Sequence, residues 1–156
     1  MNMIRKKLAS LGLCAMMALP AVFTADRAEA SSAQRCLAEA LYFEARGEGV
    51  NGQRAVAEVI LNRVDSRQFP SSVCGVVNQR GQFTYRRGLP MSNRAAAARA
   101  NSIAAEFLNG APRNLTGGAT YFHATHVRPS WSRRFVRTTQ IGAHIFYRPG
   151  QRVAAN

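Results

Sequence analysis

Ala40–Val64 reads ALYFEARGEGVNGQRAVAEVILNRV. Its first part continues a helical spacing that begins upstream, with Leu37, Leu41 and Ala45 in register and Ala38 and Tyr42 beside them. Ser31 and Ser32 are candidate N-caps for this helix, and Gly47 and Gly49 are expected to stop it. A second helix is predicted over Val50–Val64, because Ala55, Val56, Val59, Ile60 and Val64 form one apolar stripe. Between the two helices stand Glu44 and Glu48, four residues apart around Arg46 and Gly47, directly after the aromatic pair Tyr42 and Phe43.

Outward from this pair of helices the pattern stays simple. Pro70, Gly75 and Gly81 mark a looser region, with a short helix expected over residues 72–78. Ser92 or Asn93 can cap a third long helix that runs through Leu108, since the alanine run at 95–98 has high helix propensity and Gly110 follows. After Thr116, Gly117 and Gly118 the composition changes. ATYFHATHV (119–127) and IGAHIFYR (141–148) are rich in β-branched and aromatic residues, which predicts a strand pair around the tryptophan segment RPSWSRRF (128–135). The expected fold is mainly α (α+β), with three main helices and a small β-hairpin element near the C-terminus. No repeat or long linker divides residues 31–156, which read as one domain.

The N-terminal segment reads differently. Arg5, Lys6 and Lys7 precede a mostly apolar run from Leu8 to Phe23, and Ala28-Glu29-Ala30 places small residues where a signal peptidase reads. Residues 1–30 are therefore expected to be a signal peptide, cleaved after Ala30. A retained membrane anchor fits less well, because the run is short for a bilayer span and Pro20 interrupts it. A lipoprotein fits less well still, because Leu13 stands before Cys14 in place of a small residue.

The segment 31–156 carries 17 arginines against 6 acidic residues, a net charge of +11, and no lysine. Such a surface favours polyanions or acidic walls. Nucleic acid is the default partner of a basic domain, but an exported protein meets peptidoglycan carboxylates and anionic envelope polymers instead. The expected location is the periplasm or cell envelope, with no nucleic-acid partner and no stable membrane anchor after cleavage. Cys36 and Cys74 are the two cysteines of this segment. In an oxidising compartment such a pair reads as a disulfide, worth about 4 kcal/mol for the loop it closes; two separate buried thiols are the alternative.

The acids are few: Glu39, Glu44, Glu48, Glu58, Asp65 and Glu106. Glu44 follows Leu41-Tyr42-Phe43, so its carboxyl is expected near aromatic surface, where burial disfavours ionisation and raises a pKa. That is what a carboxylic acid needs if it is to protonate a glycosidic oxygen near neutral pH. The competing reading is a surface glutamate paired with Arg46. A two-carboxylate mechanism using Glu44 and Glu48 together is rejected, because two groups stacked on one helix approach from the same side and cannot flank a bond. Glu48 then orients the acid or ties down the turn through backbone amides. Metal chemistry has a weak signal in His123, His126 and His144: a strand places His123 and His126 on opposite faces. No metal and no cofactor is expected. Tyr85, Tyr121, Phe122, Trp131 and Tyr147 can stack on sugar rings or fill the core.

These blocks carry a resemblance. CLAEALYFEARGEGVNGQRAVAEVILNRV (36–64), FPSSVCGVV (69–77), GQFTY (81–85), LTGGATYFHA (115–124) and IGAHIFYR (141–148) follow the order found in the SleB-type cell wall hydrolase family, the relatives of spore cortex-lytic enzymes. The resemblance spans about Cys36 to Arg148. It implies a lysozyme-like, mainly α fold that acts on peptidoglycan glycan strands. It also implies lytic transglycosylase chemistry with a single catalytic glutamate, which maps to Glu44. Glu48, Arg46, Gly47, Asn62 and Arg63 become motif residues of supporting role, Gln82 and Phe83 match an element expected in the substrate cleft, and Tyr121 and His123 match the Gly-Ala-Thr block. Relatives often carry cysteines around the Gln-Phe element, where this chain has Gly81 and Arg86, so a second disulfide is not expected. Plain glycoside hydrolysis of the same bond, a non-catalytic basic protein that binds wall or lipopolysaccharide, and a metal-dependent amidase are the alternative activities.

Overall fold

The computed structural model describes residues 22–83, 85–86 and 88–150. Four helices precede three strands: α1 (Val22–Ala45), α2 (Val50–Val64), α3 (Val73–Val77), α4 (Arg94–Leu108), β1 (Tyr121–Ala124), β2 (Phe135–Ile141) and β3 (His144–Pro149). A 3-10 turn over Ser130–Arg134 leads into β2. The architecture is the expected one, helix-rich with a small antiparallel sheet at the C-terminal end.

The helical core forms where the periodicity placed it. Leu37, Leu41, Tyr42 and Ala45 of α1 are buried against Val56 and Ile60 of α2, Val73 and Val76 of α3, and Ile103 and Phe107 of α4. Because α1 packs against each of the other three helices, it is the post around which they are arranged. Cys36 of α1 and Cys74 of α3 form the expected disulfide, with Cα atoms 5.3 Å apart. Asn93 is the cap of α4, its side-chain oxygen accepting from the Ala96 amide, and Ser72 caps α3 through the Gly75 amide. Among the two caps weighed for α4, the amide side chain won.

Three expectations need correction. Ser31 and Ser32 do not cap α1, which is already helical at Val22; their hydroxyls bond back to the Ala28 and Glu29 carbonyls, as serines do inside a helix. The expected cleavage point, Ala30, lies within this helix, and residues 1–21 of the expected signal segment lie outside the described residues. Second, α1 ends at Ala45, just before Gly47 and Gly49 as expected, but neither glycine adopts the left-handed cap conformation. The turn is closed by the Glu48 amide donating to the Ala45 carbonyl, and Gly49 is the extended N-cap of α2. Third, the β element has three strands, in the order β1-β3-β2. The missed strand, FVRTTQI, follows the tryptophan turn, and Gly142 (φ 56°), read as strand interior, sits in the tight turn that joins β2 to β3.

The sheet packs one face on α2. Phe146 and Phe122 meet Ala55 and Val59 there, in a second small core. Register fixes what lies on each side: Tyr121 pairs with Tyr147 and His123 with Ile145, while Phe122 pairs with Phe146 and Ala124 with His144. Alternation therefore turns Phe122, His144 and Phe146 inward, and Tyr121, His123 and Tyr147 outward.

Candidate active site

Glu44 occupies the last turn of α1 and is half-buried, followed by the buried Ala45. The described residues between 79 and 93 touch α1 just before it at three points. Glu39 Oε1 accepts from the Gly88 amide (2.9 Å), the Tyr42 hydroxyl accepts from the Asn93 amide (3.1 Å), and the Phe43 ring stacks on Tyr85 at 4.8 Å. This segment carries the exposed Gln82 and the half-buried Phe83, whose ring lies 6.2 Å from that of Tyr85. Phe83 and Tyr85 thus stand beside the aromatic residue that immediately precedes Glu44. Arg46 is exposed and folds back over the Tyr42 ring, donating to its hydroxyl at 3.1 Å. The Asn93 amide, ahead of smaller contributions from Ser92 and Arg46, draws the Tyr42 hydroxyl below its ordinary pKa.

Glu48 points elsewhere. It lies beyond the end of α1, and its Oε2 accepts from the Ala143 amide in the β2–β3 turn (3.1 Å). Two glycines make room for it. A Cβ on Gly52 would stand 2.6 Å from the Glu48 Cβ, and one on Gly142 would run into Oε2. His144 Nδ1 is 3.7 Å from Glu48 Oε1, too far for a hydrogen bond. Burial lowers the His144 pKa, with Glu48 acting against that shift and His123 adding to it, so the ring is neutral at pH 7 and the contact is not an ion pair. The two glutamates do not share one helix, as the sequence reading had them, and the second is bonded to the sheet.

The second half of the opening motif fastens the sheet to α2. Glu58 is fully buried and accepts from the Leu115 amide (2.9 Å), the Thr116 amide (2.9 Å) and the Thr116 hydroxyl (2.9 Å). Asn62 donates to the Ala119 carbonyl (3.0 Å), and Arg63 Nε to the Thr120 carbonyl (2.7 Å). The Arg63 guanidinium lies over Phe69 and Tyr121, and burial brings its pKa down to about 10, so it stays charged at pH 7. The role of Glu58 was missed in the sequence. Its signal was a carboxylate inside the apolar run AVAEVI, on the buried side of the helix.

Tyr121 and His123 belong to a separate cluster on the outward sheet face. His123 stacks on Tyr147 (5.2 Å), with Nδ1 2.9 Å from the Ala124 carbonyl and Nε2 3.0 Å from the Tyr147 hydroxyl. Tyr121 packs on Phe135 at 4.5 Å and on Trp131 at 5.6 Å. The structure thus joins Phe83 through Tyr85 to Phe43, the neighbour of Glu44 in sequence, ties Glu48 to the hairpin turn, and sets Tyr121 and His123 on the outward sheet face. His123 and His144, weighed as metal ligands, face opposite sides of the sheet.

The family model described as Cell Wall Hydrolase matches residues 47–147, a stretch that includes Glu48 and all of α2 but begins after Glu44. The spore cortex-lytic enzyme of Halalkalibacterium halodurans is 41% identical over 115 residues, which cover 70% of this chain and 33% of that protein. Its counterpart in Oceanobacillus iheyensis is 38% identical over 117 residues, 70% of this chain and 39% of the relative. The chain thus spans little more than a third of the length of these relatives. The crystal structure of the catalytic domain of the Bacillus cereus SleB protein aligns with a TM-score of 0.65 at 32% identity, covering 76% of this chain and 91% of that one. The catalytic domain of the germination-specific lytic transglycosylase SleB from Bacillus anthracis aligns with a TM-score of 0.57 at 31% identity, covering 74% and 93%.

Proposed function

Because the chain belongs to the cell wall hydrolase family, we propose that it cleaves the glycan strands of peptidoglycan, with Glu44 as the single general acid and base. The reading is of a lytic transglycosylase. Glu44, protonated at rest, gives its proton to the oxygen that links N-acetylmuramic acid to N-acetylglucosamine. The bond from that oxygen to the muramoyl anomeric carbon breaks, and positive charge develops on the carbon. The muramoyl 6-hydroxyl oxygen then bonds to it, and the hydroxyl proton passes to the Glu44 carboxylate. The product is a 1,6-anhydro sugar, and the acid is restored without water being consumed.

The observation that carries this reading is where the other acids are. Glu39 accepts from Gly88, Glu48 from Ala143 and Glu58 from Leu115 and Thr116, while Asp65 pairs with Arg113 and Glu106 with Arg54. Each has a structural contact of its own, and Glu48, four residues beyond Glu44, is turned to the sheet. A mechanism that needs a second carboxylate across the sugar finds no support in this distribution. The half-buried position of Glu44 beside the Phe43–Tyr85 stack fits an acid that has to hold its proton. One positioned acid–base group is typically worth roughly 10²–10⁴-fold in rate.

Mass spectrometry of the products from purified sacculi tests the chemistry. Anhydromuramoyl ends are expected; reducing-end muramic acid would convert the reading to plain hydrolysis. We place the protein, on the same footing, in the periplasm or cell envelope as an exported protein after cleavage at Ala30. N-terminal sequencing of the exported chain checks that, with Ser31 expected as the first residue.

A further inference from the structure

The outward face of the sheet carries charge that no carboxylate balances. His123 and Tyr147 form the floor of a cavity of about 540 Å³, and Arg128, Ser132, Arg133 and Arg137 rise around it. From Phe107 to the C-terminus the chain has seven arginines and no aspartate or glutamate. The arginine ion pairs found among the described residues, Arg54–Glu106 and Arg113–Asp65, use acids of the helical half. Arg128, Arg133 and Arg137 are exposed and have no such partner among the described residues; Arg137 donates only to the neutral Gln140 amide oxygen, at 2.8 Å. Beneath them the His123 and Tyr147 side chains satisfy one another at 3.0 Å. The floor is an aromatic plate, and the charge sits on the walls.

Three guanidinium groups around one cavity repel each other and gain from an anion placed between them. Their planar forks match carboxylates in pairs of parallel hydrogen bonds. The volume falls within the roughly 300–1,000 Å³ typical of ligand sites. We propose that this cavity is a subsite for the carboxylates of peptidoglycan stem peptides. The proposal rests on the reading of the chain as a glycan-cleaving wall enzyme, and names a specificity site for it. Stem peptides hang from muramic acid, the sugar whose bond Glu44 is proposed to break. The sheet that carries the cavity is pinned to the end of α1 by the Glu48–Ala143 bond, so cavity and acid are parts of one framework. Phosphate-bearing envelope polymers offer a similar charge, and the test separates them.

The test measures binding of the full chain, in a Glu44→Gln background that stops cleavage, to immobilised glycan strands in two preparations, one carrying stem peptides and one freed of them by an amidase, at about 0.1 M salt. The wild-type cavity is expected to bind stem-bearing strands at least tenfold more tightly than stripped ones. The variant Arg128→Gln/Arg133→Gln/Arg137→Gln should bind both preparations alike, at the stripped level, with an unchanged melting temperature. A control variant with the same loss of charge on the helical half, Arg67→Gln/Arg94→Gln/Arg99→Gln, should keep the preference. Equal binding of the wild-type cavity to both preparations overturns the proposal. So does a preference that the control variant loses as well, which would mean charge without a site, or one that lipopolysaccharide abolishes when added at equal phosphate, which would mean a phosphate site. Binding is read without turnover, so failure here leaves the Glu44 chemistry untouched, and failure of that chemistry leaves this preference standing.

Discussion

At Glu48 one side chain holds two turns together. Its backbone amide closes the end of α1, its Cβ passes over Gly52, and its carboxylate reaches the Ala143 amide beside Gly142. Glu48→Ala is expected to cost about 1 kcal/mol by urea denaturation, the net worth of one bond whose donor stays open to water. Glu48→Gln, which keeps an acceptor oxygen, should recover part of that. Gly142→Ala combines a left-handed φ with a collision against Glu48 Oε2, so its cost should shrink once Glu48 is alanine. The double-mutant cycle should therefore be non-additive; strict additivity would separate the two residues. His144 adds a pH dependence of known sign. Burial sets its folded pKa below the ordinary value of about 6.5, so the unfolded chain binds more protons in that window. The stability contributed by neutral His144 is fully present above pH 6.5 and is lost as pH falls from there towards the depressed folded value. Urea midpoints at pH 7.5 and 5.5 should differ less in His144→Gln than in wild type.

Among the elements, α2 decides how the helical half meets the sheet. Its apolar residues divide, Val56 and Ile60 meeting the α1 core and Ala55 and Val59 the sheet, and its polar positions Glu58, Asn62 and Arg63 take hold of residues 115–120. Glu58→Ala would leave two amides and a hydroxyl without their acceptor in a buried place, at about 1–3 kcal/mol each. A loss of about 3 kcal/mol or more in a thermal melt is expected, together with loss of wall cleavage. A change within about 0.5 kcal/mol would show that the clamp is dispensable. Elements with strong local signals were legible in the sequence: α2, the short α3, α4 with Asn93 among its candidate caps, and the β1–β3 pairing. The start of α1 was not, because a serine pair reads as a cap in sequence whether or not residues 22–30 continue the helix before it. The strand FVRTTQI was missed because the arginine- and serine-rich turn before it hid where the extended backbone began. Gly142 was taken as strand interior for want of a partner strand to turn towards.

Across the molecule, the acids are confined to one half, while arginines are spread over both. All six carboxylates of residues 31–156 lie at or before Glu106, and the sheet segment that follows is purely basic. The +11 charge was visible from composition; its sorting into ion-paired and unpaired arginines needed the fold. The candidate acid was legible through the order of motif blocks, which outlines a family even where no contact can be foreseen. The distant partners were not legible. Glu48 and Ala143 stand 95 positions apart, and Glu58 and Thr116 stand 58 apart. No local periodicity encodes such contacts; they follow from docking the sheet on α2. The central claim, that one acid at the end of α1 carries the cleavage, is tested most directly by digesting purified sacculi with wild type and with Glu44→Gln, and counting anhydromuramoyl ends by mass spectrometry. The account predicts such ends with wild type and a fall of at least about 10²-fold with Glu44→Gln at an unchanged melting temperature. Undiminished release of those ends by Glu44→Gln would contradict it.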